Sequence, residues 1–271
     1  MSQTASPTRP PAGGLDLSST SPIPFTRLVK VELRKSYDTR AGFWLLAVTA
    51  GLAALVMVIT LIAAAVEGFA IEFGTFLATT TYTTTLLLPV LGIMLVTSEW
   101  GQRTSMTTFT LEPHRARVVL AKLVAGLVLA LLVAVVAVVA AVVSNLLYGA
   151  VSSNPTSWEL GETSLPGFLV LQGIGMLTGF ALAALLLNTA AAIVVFFAYS
   201  FVLPAVFAIT SGLIGWVADV RPWVDFGNAQ VPLFDWSMDG VEYAHLLVSG
   251  LIWLVLPLAL GLWRVLRAEV K

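Results

Sequence analysis

Few residues in this chain have the chemistry to make or break bonds. There is no cysteine, which removes thiolate nucleophiles, thiolate zinc sites and iron–sulfur clusters. Two histidines, His114 and His245, are too few for a histidine-rich metal site, and none is expected. Neither a His-Glu-x-x-His pair nor a Gly-x-x-x-x-Gly-Lys-[Ser/Thr] phosphate cradle occurs, so the chain lacks the machinery to cleave peptides with zinc or to hydrolyse ATP. His245 and Ser249 stand four residues apart and raise the question of a base and a nucleophile. Ser249 lacks the flanking glycine pattern of an exposed nucleophile, and His245 is more simply an interfacial residue. No catalytic residue is expected.

The remaining chemistry is recognition. The segment Ser98 to Lys122 combines Glu99, Arg103, Glu112, Arg117 and Lys122 with apolar Met106, Phe109 and Leu111. It reads as two short helical pieces broken near Pro113, because the residue before a proline disfavours the helical region. Apolar side chains on a short loop have no core of their own, so these either tuck back against neighbouring helices or dock onto a partner. Upstream, Phe25, Leu28, Val29, Leu33 and Tyr37 share one helical face, and Arg27, Lys30, Arg34 and Asp38 another. That pattern predicts an amphipathic helix over 25–41 lying along a membrane surface, either as an anchor or as a lever.

The elements that must position these residues are apolar. Of 271 residues, 58% are hydrophobic and 11% charged, with a mean hydropathy of +0.93; soluble domains carry about 45–50% apolar and about 25% charged residues. A water-soluble globular protein is excluded. The net charge of -1 provides no basic field to hold nucleic acid. A membrane crossing needs roughly 20 apolar residues, and six stretches are long enough: Phe43 to Val66, Thr75 to Thr97, Val118 to Leu147, Phe168 to Leu187, Ala190 to Trp216 and His245 to Trp263. Thirteen of the fourteen basic residues precede the first stretch, lie between the second and third or just inside the start of the third (Lys122), or follow the sixth, while the alternate loops hold only Arg221 and nine acids. Basic residues are retained in the cytoplasm, so both termini are expected there. The Pro/Ser/Thr/Gly-rich residues 1–24 are expected to be a disordered tail. The first apolar run is too long and starts too late for a signal peptide, so it is expected to stay in the mature protein.

Within the second stretch, a threonine run includes Thr80, Thr81 and Thr84. Its hydroxyls either bond back to their own helix or line a pathway, with Pro89 permitting a bend. Gly175, Gly179 and Ala183 leave a smooth strip on the fourth stretch for close helix packing. Pro204 and Pro257 are expected to kink the fifth and sixth. The Trp-, Tyr- and acid-rich loop before the last stretch is expected to dip back to the membrane interface.

Glu99, Gly101, Arg103 and Thr104, then Pro113, Arg117 and Lys122 leading into an Ala/Val/Leu-rich span, resemble the connection between the second and third spans in permease subunits of type-2 ATP-binding-cassette exporters. Six spans, cytoplasmic termini and an interfacial elbow helix before the first span are similar too. The resemblance implies a permease of the bacterial cytoplasmic membrane, a homodimer or paired permeases, with no cofactor of its own. Two copies of a separate ATPase would bind ATP and Mg and be contacted through Glu99, Arg103, Met106, Phe109, Glu112, Pro113 and Arg117. Glu99 and Arg103 are spaced to pair at i,i+4. Two other classes stay open: an ion-coupled secondary transporter, although no span carries an ionisable group at its centre, and a non-transporting accessory or immunity subunit.

Overall fold

The computed structural model describes residues 23–68, 70–102, 104–152 and 154–267. All but the last two residues of the expected 1–24 tail lie outside them, as do Arg103 and the last four residues of the chain. The architecture is all-helical, and six of the helices are long and apolar enough to cross a membrane.

Helix α1 (Phe25–Asp38) starts at Pro24, whose carbonyl accepts the amides of Arg27 and Leu28. One residue separates it from α2 (Arg40–Glu67), because the Thr39 hydroxyl accepts the amide of Gly42 and caps the new helix. α2 ends at Gly68, whose φ of 71° is a left-handed conformation that glycine adopts without a Cβ clash. α3 (Phe73–Gly101) and the short α4 (Ser105–Leu111) follow. The chain then leaves helical geometry at Glu112–His114 around Pro113, as the proline spacing predicts. The second helical piece is the first turns of α5 (Arg115–Val151), continuous with the third span. After α6 (Leu165–Leu186), a two-residue turn leads into α7 (Thr189–Leu213), where the Asn188 side chain caps the helix through Ala191 N.

On the opposite side of the bundle, α8 (Gly215–Val224), α9 (Phe226–Ala229) and a 3-10 turn form a folded segment before α10 (Gly240–Arg267), which opens on an Asp239/Glu242 capping box. This segment lies back on the bundle: Ser164 N donates to the Phe234 carbonyl at 2.6 Å, and Trp253 Nε1 to the Val224 carbonyl at 2.7 Å. We call this the acidic side and the side of α1 and α4 the basic side, after the loops they carry. Pro204 and Pro257 do more than bend their helices. Each follows a π-helical turn, Ala198–Val202 in α7 and Leu251–Val255 in α10. A proline has no amide hydrogen to close a regular turn, and the wider turn absorbs the mismatch.

α3 and α6 form the centre. In the most apolar window of α3, 61% of residues are buried, and 56% in α6, against 11% in each of α2, α7 and α10. Apolar side chains gain nothing by leaving hydrocarbon for one another, so close backbone approach has to hold the pair together. Gly175 and Gly179 provide it within this chain. The Gly175 Cα faces the Pro89 ring, and a Cβ at Gly179 would overlap the Pro89 carbonyl. Ala183, one turn on, is buried in the same core as Phe180 and Ile93. Gly179→Leu is therefore expected to destabilise by about 1–3 kcal/mol as an overpacked core, with Gly173→Leu, where added atoms meet open space, as the control. Equal thermal unfolding midpoints in detergent would contradict this packing.

Candidate functional site

The basic side carries a buried cluster of charge. Glu32 lies in the middle of α1, Glu99 in the last turn of α3 and Lys122 about two turns into α5, with side chains only 5–7% exposed. Lys122 Nζ donates to Glu32 Oε2 at 2.6 Å and lies 3.3 Å from Glu99 Oε1. Lys35, more open, donates to Glu32 Oε1 at 2.7 Å and to Glu99 Oε1 at 2.6 Å. Two acids and two bases thus form a closed ring of four ion pairs, the condition under which buried charges are tolerated. Lys122 also reaches the Leu95 carbonyl at 3.3 Å, and Thr108 of α4 donates to Glu99 Oε1 at 3.1 Å. Four elements, α1, α3, α4 and α5, therefore meet at one carboxylate.

Burial lowers the pKa of the Lys35 ammonium, and attraction and hydrogen bonds from Glu32 and Glu99 more than offset it, so the pKa ends above its ordinary value of 10.5. The pairing is complete below that ordinary value and lost only as pH climbs through the raised one. The ring is not a physiological pH switch through this lysine.

A second cluster fixes the corner between α4 and α5. The Glu112 side chain, 7% exposed, accepts from Arg117 Nη1 at 2.8 Å and contacts His114 Nδ1 at 3.2 Å. Arg117 Nη2 continues to the Ile23 carbonyl at 2.7 Å, tying the corner to the start of α1. Pro113, exposed at the break, leaves Glu112 turned inward. Between α1 and this corner lies a cavity of about 640 Å³ whose walls include Arg27, Val31, Glu32, Glu99 and Leu111. Met106 and Leu111 project from α4, 56% and 70% exposed. The Phe109 side chain lies outside the described residues.

Other expected residues fall in distinct places. On α1, Phe25, Leu28, Val29 and Leu33 are half-buried, whereas Tyr37 is exposed and the buried residue is Glu32. Arg103, expected one turn from Glu99, lies outside the described residues; the described partners of Glu99 are Lys35, Lys122 and Thr108. Thr80, Thr81 and Thr84 are buried, each donating to a carbonyl of its own helix, and Gln172 of α6 donates to Thr84 Oγ1 at 2.5 Å. Thr84 thus meets α6, and none of the three lines a described cavity. The Ser249 hydroxyl donates to the His245 carbonyl at 2.6 Å while the His245 ring packs edge-on to Trp223, so this arrangement brings no nucleophile to a base. Among the described residues, no group of three or more His, Asp and Glu side chains is gathered to hold a metal ion.

Glu32, Lys35 and Thr108 were not legible as site residues, and Lys122 only as a basic position where the loop enters the third span. The available signals were slight: Glu32 is an acid inside the apolar stripe of α1, and Lys122 is a base inside the third apolar stretch.

Six apolar helices of membrane-spanning length make this chain, by length and composition, a multi-pass helical membrane protein. No protein-family model matches it, and a search of curated proteins finds no significant match.

Proposed function

We propose that this chain is the membrane-spanning subunit of an ATP-driven exporter of the type-2 ATP-binding-cassette class, working with a separate ATPase. The observation that carries this reading is the ring Glu32–Lys35–Glu99–Lys122 with Thr108, because it joins a short helix with exposed apolar residues to the ends of two spans and to α1. A load applied at α4 would reach α3, α5 and α1 through bonds of 2.6–3.3 Å rather than through a slack loop.

In this reading the basic side faces the cytoplasm, following the thirteen-to-one distribution of basic residues, and α1 is the interfacial elbow. Two ATPase subunits, holding ATP and Mg between them, seat on α4 of two permease copies. Their closure pushes α4, and the charge ring passes the displacement to α1, α3 and α5. The pathway alternates in access between the two sides. The chain itself carries out no hydrolysis.

The test is capture of the tagged chain from its native membrane in mild detergent, with mass spectrometry of whatever accompanies it. A stoichiometric partner bearing Gly-x-x-x-x-Gly-Lys-[Ser/Thr] is expected. Its absence from a preparation that retains other membrane complexes would overturn the proposal in favour of an ion-coupled carrier or an accessory subunit.

A further inference from the structure

A second cavity, of about 380 Å³, lies between α3, α6 and α7 in the acidic half of the bundle, roofed by the α9 segment through Gln230, Val231 and Phe234. Its volume falls within the roughly 300–1,000 Å³ of small-molecule sites. The space follows from backbone irregularities that the sequence encodes. Gly175 has no side chain to fill it, Pro89 stands inside α3, and the π-turn of α7 sets Tyr199, Ser200 and Phe201 into the wall. The roof is held in place: Tyr82 stacks on Phe234 at 5.5 Å between ring centroids, and Gln230 Nε2 donates to the Phe226 carbonyl at 2.9 Å.

The lining determines what fits. It includes no Asp, Glu, Lys, Arg or His. Of its few polar side chains, Thr178 donates to the Ile174 carbonyl at 2.8 Å and Gln230 to the Phe226 carbonyl at 2.9 Å. Thr85 Oγ1 has no partner but is fully covered, so it offers no bond to an occupant. Most of the wall is hydrocarbon, from side chains such as Leu86, Pro89, Leu171, Ile174, Phe196 and Phe201, so an apolar occupant fits it better than water, which needs about 2–4 polar partners. The walls come from three membrane-length apolar helices, and two of the aromatic lining residues, Tyr82 on α3 and Phe201 on α7, are 68% and 56% exposed. At that depth the surrounding medium is hydrocarbon.

We propose that this cavity is a binding site for one acyl chain of a bilayer lipid, which enters between Tyr82 and Phe201 from the leaflet on the acidic side. The site is complete within one copy of the chain and needs no ATPase, so it stands or falls independently of the transport reading.

The test uses the full chain in nanodiscs containing phosphatidylethanolamine with a diazirine midway along one acyl chain, irradiated, digested and mapped by mass spectrometry. Label on the peptides carrying residues 171–178 and 196–204 is expected to exceed that on the lipid-facing Leu55–Ile62 stretch of α2, because a bound chain dwells where a passing one does not. Ser200→Trp fills the cavity from its wall and Val231→Trp from its roof. Either is expected to cut the cavity label about tenfold, the response to about 1.4 kcal/mol of lost affinity, with the α2 label unchanged. Ser200→Ala should retain it. Cavity label no greater than that on α2 would overturn the site, and this comparison needs only the wild-type chain. Label insensitive to both tryptophans would overturn it too, as would a cavity that a second copy or another solute keeps free of lipid.

Discussion

Lys122→Met is expected to be among the most destabilising single substitutions on the basic side, costing about 3–5 kcal/mol, the usual penalty for stranding a buried charge. Lys122 bonds Glu32 at 2.6 Å and lies 3.3 Å from Glu99, and both carboxylates are almost fully enclosed. Without it, two buried acids compete for Lys35, the one cation left to them among the described residues. The second half of the prediction separates this cause from a packing defect. Glu32→Gln in the Lys122→Met background restores charge balance, leaving the Lys35–Glu99 pair, and is expected to recover most of the loss. Thermal unfolding in detergent followed by tryptophan fluorescence measures both variants, with exposed Lys30→Met as the reference. A Lys122→Met midpoint equal to that of Lys30→Met, or a double variant no better than the single one, would show that the ring does not hold these helices.

Met106→Asp with Leu111→Asp is expected to abolish stimulation of the partner ATPase while leaving the chain inserted and folded. Both side chains are largely exposed on α4, and exposed substitutions usually change stability by less than about 0.5 kcal/mol. At a docked interface the same two changes place carboxylates against an apolar seat, where loss of a single anchor costs about 2 kcal/mol or more. The expected readout is ATP hydrolysis at the partner's unstimulated rate, with an unchanged unfolding midpoint for the permease. Full stimulation by the variant would remove α4 as the contact.

The spans were legible in the sequence because a bilayer demands so much of each one: about 20 apolar residues in a row leave a pattern that needs no tertiary information. The helix over α1 was legible for a related reason, since apolar and charged residues segregate along it with a helical period, and Pro113 announced the break before α5. The charge ring was hidden because its members lie far apart in the chain. Glu32 and Lys122 are 90 residues apart, and local spacing directs Glu99 toward Arg103 rather than toward Lys35. The apolar stripe of α1 pointed to Tyr37 and away from Glu32, because an acid in such a stripe is stable only when another helix supplies its cation. The cavity was equally illegible. Pro89, Gly175 and Pro204 each looked like a local packing feature, and only the arrangement of three helices sets them around one space.

The two π-turns change how the sequence of α7 and α10 relates to their surroundings. Each carries one residue more than a regular turn, so everything beyond it is rotated by about 100° from where an unbroken α-helix would place it. Positions counted at helical spacing from the basic end therefore fall out of phase at the acidic end. In α10 the basic end is placed by the contact of Arg264 with the Leu185 carbonyl, and the π-turn itself is tied by Trp253 to the Val224 carbonyl. Residues that face a neighbour on one side of the membrane thus leave those on the other side free to specialise.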